Sequence, residues 1–438
     1  MMRHFCFYIG LCLSALLAVP GQADLVGHGG IIRTIDFSPD GRRVLTGSFD
    51  YSAILWDFED QVEIARLDAH QGPVTSVLYM ADGKRVITAS DDKTAIIWDL
   101  QSQSPLFRLE GHGHKVMALA LRADNKVVAT GGWDGLVILW DTGTGKQLRK
   151  IKHPGPVNAV VFLGDGEVLA SGGHDRTIRI FESASGRPLG KLEGHLMGIT
   201  QLAASKDGRR LVSASIDGSL RLWDTGDFEE ISKLEGHDKQ IFGLRVLANG
   251  REAVSAGRDG FAIVWNLDNG QVVRRIRAHD GMAWAVAASP DGRFIVSAGS
   301  DERARIWHLA SGDRIGAEVN DRDEPKPWLN SDHPGAKLFL KCARCHSINA
   351  QSIRRSGPHF ANLFGRRAGS VSDYKYSSAL VGVDFNWDEK SLYDLFDKGP
   401  DKYLPGTKMP VQRVTDKSQL HDLIAYLKEL TSQPKAAN

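Results

Sequence analysis

Histidines return at a nearly constant interval through most of this chain: His28, His70, His112, His153, His195, His237 and His279, with steps of 42, 42, 41, 42, 42 and 42 residues. Three other series keep the same step. Tryptophan fills Trp56, Trp98, Trp140, Trp223, Trp265 and Trp307, with Phe181 in the fourth copy. Asp50, Asp92, Asp134, Asp175, Asp217, Asp259 and Asp301 form an acidic series, and four residues before each stands a hydroxyl: Thr46, Thr88, Thr130, Ser171, Ser213, Ser255 and Ser297. A repeat of this length is one supersecondary unit that cannot bury its apolar faces alone, so copies must stack on one another.

Each copy reads as four short strands. In the fifth, residues 198–203 form a strand and Lys206, Asp207 and Gly208 turn the chain. Leu211 to Ala214, Leu220 to Trp223 and Ile231 to Leu234 supply the other three, with a second turn at Asp217 and Gly218. Alternation of period two between Asp-Gly turns argues for strands and against helices. Closing seven such sheets into a ring leaves no long exposed edge, which predicts a seven-bladed propeller.

With Gly111-His112 leading to Trp140-Asp141 in one copy, residues 25 to about 319 resemble the WD-repeat propeller family. That resemblance implies a hydrogen-bonded tetrad of His, Asp, Ser/Thr and Trp in each blade. A buried imidazole needs partners on both nitrogens, and these residue types supply them. The seven histidines are therefore read as structural; spread around a ring, they are too far apart to share a metal. Blade four is one residue shorter and carries Phe181, which has no hydrogen to donate, so its tetrad is expected to be the weakest. For ring closure, residues 313–319 are expected to complete the last blade, with the segment after residue 23 adding little.

Composition limits the rest. Lys+Arg 54 against Asp+Glu 53 leaves a net charge of +1, which excludes a strongly basic nucleic-acid binder. Only four cysteines occur, so a disulfide scaffold is excluded. Cys6 and Cys12 lie in an opening stretch where Arg3 and His4 precede apolar residues 5–19 and a small-residue end at Ala23. This pattern matches a secretory signal peptide over residues 1–23. A retained anchor needs about 20 apolar residues. No other segment is apolar enough to span a bilayer, so no membrane span is expected after cleavage.

The repeat stops near Val319, and polar residues 320–332 with two prolines read as a linker. Cys342-Ala343-Arg344-Cys345-His346 follows, the attachment signature of c-type haem. Two thiols at this spacing reach both vinyl groups of one porphyrin, and the adjacent imidazole reaches the iron. A zinc site lacks a second cysteine pair. A redox dithiol belongs in a βαβ context, whereas Leu420, Leu423, Ile424 and Leu427 carry helical spacing. The sixth ligand follows by elimination. Met409 is the one methionine after the linker, in a constrained Pro-Gly loop, although His359 and His421 remain as alternatives. Thioether opposite imidazole raises a haem potential and fills both axial positions.

Cys342 to His346, Gly357-Pro358, residues 362–366, Tyr374, Tyr376, Trp387, residues 403–409 and residues 423–427 together resemble a class I cytochrome c of mitochondrial or α-proteobacterial type. This resemblance implies one covalent haem c, a Pro358 carbonyl accepting from His346, and Tyr376, Trp387 and Arg366 around a propionate. It also pairs Phe339 with Tyr426 between the first and last helices. Phe396 departs from a position commonly filled by Tyr, removing a hydroxyl near the Met409 sulfur. The expected fold class is thus multidomain: an all-β seven-bladed WD-repeat propeller (24–319), a linker (320–332), an all-α class I cytochrome c domain (333–431) and a tail (432–438).

From residue 326 onward 17 Lys+Arg face 11 Asp+Glu, a net of +6. Without Arg3, the remainder holds 36 against 42, a net of −6. A basic cytochrome suits an acidic partner or its own propeller; an ordinary solvated surface is the alternative. The WD-repeat resemblance also implies top-face positions, filled here by Phe242, Met282, Trp284, Ile31 and Phe49, to which blades three and four add Met117, Trp133 and His174, in one docking face centred on Trp284. Exposed aromatic and Met clusters mark binding sites; burial between blades is the competing reading. The expected function is a periplasmic electron carrier with a redox partner protein and a propeller that docks other proteins. A periplasmic oxidoreductase with a second cofactor or substrate in the propeller is the alternative, and a haem sensor is the third.

Overall fold

The computed structural model describes residues 24–316, 326–343, 345–350, 357–372, 374, 376–377, 379–407, 409 and 413–432. The expected leader (1–23), residues 320–325 of the expected linker and residues 433–438 of the expected tail lie outside them.

Among the described residues the strands form seven antiparallel sheets, one per repeat. Blade one comprises Ile32–Phe37, Arg43–Ser48, Ala53–Asp57 and Glu63–Leu67. Burial falls from the inside of each blade outward. In blade three, Val127–Gly132 is buried throughout, whereas Gln147–Lys152 buries only Ile151. A second strand covered on both faces by neighbouring blades must be apolar or small, which explains its sequence VVATGG; the outer strand meets water on one face and carries charge.

The expected tetrads are present in six blades. In blade one His28 Nδ1 donates to Asp50 (2.8 Å), the Thr46 hydroxyl bonds His28 Nε2 (2.8 Å), and Trp56 Nε1 donates to Thr46 (2.8 Å). In blade five His195, Asp217, Ser213 and Trp223 repeat it at 3.0, 2.8 and 2.9 Å. Blade four is rewired, as Phe181 predicts. His153 Nδ1 donates to the Gly155 carbonyl (3.0 Å), Arg179 approaches Nε2 (3.3 Å) and pairs with Asp175, and the buried Ser171 hydroxyl has no partner among the described residues.

Closure differs from the expectation. The last blade runs through Ala283–Ala288, Phe294–Gly299 and Arg303–His308, and its outer position is shared by two short strands. Arg314–Ile315 pairs with Ile306 and Trp307, while Leu25–Val26 pairs with Ala304 and Arg303. The N-terminal segment is thus a full participant: Leu25 is wholly buried, and the buried Asp24 carboxylate meets Arg303 (3.3 Å), Arg305 (3.7 Å) and Arg314. Three cations around one carboxylate fix this strand in a way that two apolar residues alone would not.

The C-terminal region is helical: α1 (Pro334–Cys342), α2 (Glu389–Lys398), α3 (Pro400–Tyr403) and α4 (Lys417–Ser432). A short 3₁₀ turn, Pro327–Leu329, lies inside the expected linker, and Trp328 packs edge-on against Phe339 (5.3 Å). Part of that segment therefore packs, half-buried, against the helical domain's core. α1 and α4 cross closely because Gly335 carries no side chain; a Cβ there would lie 2.2 Å from the Asp422 carbonyl oxygen. Phe339 and Tyr426 meet edge-to-face at 5.9 Å, the pairing expected from the sequence.

Candidate functional site

Helix α1 starts at Pro334, with the His333 ring accepting from the Gly335 N–H (3.0 Å), and buries Gly335, Ala336, Phe339 and Cys342 along one face. This spacing is a helical stripe directed at the core. Beyond the helix, Cys345 N–H and His346 N–H both donate to the Cys342 carbonyl (3.0 and 2.9 Å). The chain thereby coils once more, and Cys342, Cys345 and His346 all line one cavity.

His346 is fixed from several directions. Its Nδ1 lies 2.7 Å from the Pro358 carbonyl, its ring stacks on Phe360 (4.3 Å, 14°), and Gly357 packs so close that a Cβ there would sit 2.4 Å from the imidazole. A carbonyl only accepts, so Nδ1 carries the proton and Nε2 keeps a free lone pair. No described residue hydrogen-bonds Nε2. Burial is the main cause that lowers the imidazole to about 4, with Arg366 adding to it and the Pro358 carbonyl opposing. The ring is therefore neutral near pH 7, as a metal ligand must be.

The cysteines are not arranged for thiol chemistry. Cys342 is buried, and desolvation first, then Cys345, pushes its thiol up to about 12. Reactive dithiols have lowered values and sit at helix N-termini, whereas Cys342 ends helix α1 and Cys345 follows it. Among the described residues no group of three His, Cys, Asp or Glu could hold a metal.

Met409 lines the same cavity, and its N–H donates to the Thr407 hydroxyl (3.3 Å). Apolar walls come from Leu363, Leu380, Leu392, Leu395, Leu404 and Leu427, with Phe396 buried among them and no hydroxyl at that point. Arg366, Tyr376 and Trp387 line it too. Arg366 and Trp387 are neighbours through a backbone pair (2.9 Å), and the guanidinium donates to the Ala361 and His359 carbonyls (2.7 and 2.9 Å). Tyr376 accepts from the Val371 N–H (3.3 Å). His359 and His421 do not line the cavity; His421 is exposed on α4 and bonds the Lys417 carbonyl. An apolar slot with two thiols, a neutral imidazole, a thioether and a few polar groups suits a covalently tethered porphyrin.

The expected docking residues divide into two groups. Phe242 stacks on Trp284 (4.2 Å, 14°), Trp284 meets Phe49 (6.4 Å), Arg33 lies over the indole (4.6 Å), and Phe49 N–H donates to the Ile31 carbonyl (3.0 Å). Met282 precedes Ala283–Ala288 in a loop, where its N–H donates to the Ser300 hydroxyl (3.0 Å). Trp133 stands elsewhere, between His114 (5.9 Å) and His174 (5.4 Å). Sequence reasoning missed one wall of the cavity. Gly29, Phe49, Asp50, Tyr51, Ser52, Arg66 and Asp68, all from blade one, line it opposite the helices. Only the opposite net charges of the two halves hinted at that meeting.

Fold and site together define a β-propeller protein with an attached c-type cytochrome. Family models agree: "WD domain, G-beta repeat" matches residues 22–57, 61–99, 103–141, 145–182, 186–224, 228–266 and 270–308, and "Cytochrome c" matches residues 333–431. The chain belongs to the WD-repeat family and carries a cytochrome c domain with a covalently bound haem c. Cytochrome c of Nigella damascena is 42% identical over 99 residues, covering 22% of this chain and 88% of its own length. Cytochrome c of Cannabis sativa is 41% identical with the same coverage. The cytochrome c homolog of Rickettsia bellii is 38% identical over 99 residues, 23% of this chain and 56% of its own length.

Proposed function

We propose that this chain is an exported, periplasmic electron-transfer protein whose haem is held by thioethers at Cys342 and Cys345, with His346 and Met409 as axial ligands. The observation that carries the reading is the His346 ring: Pro358 fixes its tautomer, and its free nitrogen belongs to a residue lining the cavity that Met409 also lines. When bound, the haem supplies one-electron redox chemistry. The protein's part is to orient the imidazole, exclude water with leucine and phenylalanine side chains, and set Arg366, Tyr376 and Trp387 where carboxylates of the cofactor need partners. Pro358 makes the imidazole a stronger donor by accepting its other N–H. His346 and Met409 would hold the iron between them, which suits electron transfer and would leave no position for a substrate there.

The propeller serves as a protein-docking scaffold, with Trp284, Met282, Phe242, Ile31 and Phe49 as the face. The contact of Phe49 with both Trp284 and the cavity wall supports a docking face beside the haem rather than remote from it. Export follows from the leader-like residues 1–23, and N-terminal sequencing of secreted protein is expected to start at Asp24.

The direct test of ligation is Met409→His in the full chain. Bis-imidazole coordination is expected to lower the midpoint potential, because a thioether ligand raises it, and to abolish the sulfur-to-iron charge-transfer band. An unchanged band and potential would assign the sixth position to another residue.

A further inference from the structure

The cavity around His346 is not closed by the helical domain alone. We infer that blade one of the propeller is a functional wall of the haem site, so that the potential and accessibility of the haem are properties of the full chain rather than of its cytochrome domain. This rests on the proposed reading of the cavity as the haem pocket.

The first observation is contact at a tethering atom. Cys345 Sγ lies 3.2 Å from the Gly29 carbonyl oxygen, in the loop that follows His28. A thioether has no proton to donate, so in the loaded protein this approach persists as packing. A cofactor tethered at Cys345 would therefore have blade one beside its point of attachment.

The second is the chemistry of the wall. Phe49 and Tyr51 flank the tetrad residue Asp50 and bring two rings to the cavity. Arg66 brings a fixed cation, held by Glu63 (2.7 Å), Ser52 (3.2 Å) and the Gly27 carbonyl (3.0 Å). Asp68 lies on the same wall, and Lys341 and Arg366 line the helical side. Burial pushes Tyr374, on the helical side, up to about 12, and it lies in the fields of Arg66, Asp50 and Asp68 across the junction. Asp50 and Asp68 outweigh Arg66 on the propeller wall, opposite Lys341 and Arg366, in keeping with the net charges of the two parts.

Two consequences follow. Excluding water from the Cys345 edge disfavours the more highly charged ferric state and raises the potential, since exposure is one of the levers on such centres. A cation at Arg66 acts in the same direction through a medium of low polarity. A soluble redox partner cannot use the covered edge unless the two parts separate.

The test uses full-length holoprotein carrying Phe49→Asp or Arg66→Gln, each outside the residues that tether or ligate. Covalent haem is first verified by haem absorbance retained after denaturation, which separates failure of this inference from failure of the haem reading. Both variants are expected to lower the midpoint potential. Phe49→Asp is further expected to speed reduction by a small hydrophilic donor in stopped flow, because the edge opens. Arg187→Gln, the same charge change on blade four, is expected to leave both quantities at the parent values. Parent-like potentials and rates in both blade-one variants, with haem attached, would overturn the proposal. Arg66→Gln decides the matter should Phe49→Asp fold poorly.

Discussion

At the residue scale, the tetrads show what a single hydroxyl is worth. In blade five the Ser213 oxygen joins His195 to Trp223, both buried, so Ser213→Ala strands two nitrogens and is expected to destabilise the protein by about 1–3 kcal/mol. In blade four the Ser171 hydroxyl already lacks a described partner, so Ser171→Ala is expected to be close to neutral. Urea denaturation of both variants compares them directly. The tetrads also set the response to acid. Burial alone would raise Asp217, but hydrogen bonds from Ser219 and Leu196 and the charge of His195 outweigh it and bring the carboxyl down to about 2. A carboxyl lowered in the folded state binds more protons when unfolded, so its contribution is present above its ordinary value of 3.8 and is lost as pH falls toward 2. Burial lowers His112, His153 and His195 from 6.5, so these rings too take up protons on unfolding, and stability falls as pH drops below 6.5. Both effects point the same way. Thermal melts are expected to decline progressively on the acid side, first below about pH 6.5 and again below about pH 4.

At the scale of elements, glycine decides how closely segments approach. Alanine is the better helix former by about 1 kcal/mol, yet Gly335→Ala is expected to destabilise the helical domain because the new Cβ meets the Asp422 carbonyl oxygen at 2.2 Å. Differential scanning calorimetry should show the loss in the transition of that domain, with the propeller transition unmoved. Gly357 stands in the same relation to His346, and no side chain fits between it and the imidazole. These glycines stood in the sequence among 46, and nothing in their local pattern separated them from turn glycines. Their role depends on which helix or ring comes to lie opposite.

At the scale of the whole molecule, the ring is closed by chain segments far apart in sequence. Removing the Asp24 carboxylate leaves Arg303, Arg305 and Arg314 in partly buried positions without their shared counter-charge. Asp24→Ala is expected to cost about 3 kcal/mol, the order found when one partner of a buried ion pair is removed, measured as a lower urea midpoint with an unchanged slope.

Periodicity sufficed for the seven blades; the WD-repeat resemblance supplied the tetrads and, with Phe181, the flaw in blade four, and the cytochrome c resemblance with the helical spacing of Leu420, Leu423, Ile424 and Leu427 supplied the helical domain. A missing indole hydrogen at Phe181 is a local chemical fact and needs no coordinates to be noticed. The Cys-x-x-Cys-His turn was equally legible, since one coil of backbone carries all three side chains to one cavity. Three features came only from the tertiary structure: the two-part outer strand of the last blade, the separation of Trp133 from Trp284, and the blade-one wall facing His346. Each depends on surfaces brought together from distant parts of the chain, and sequence offset carries no information about that approach. Gly29 and Cys345 are 316 residues apart, and only the packing of propeller against helices makes them neighbours.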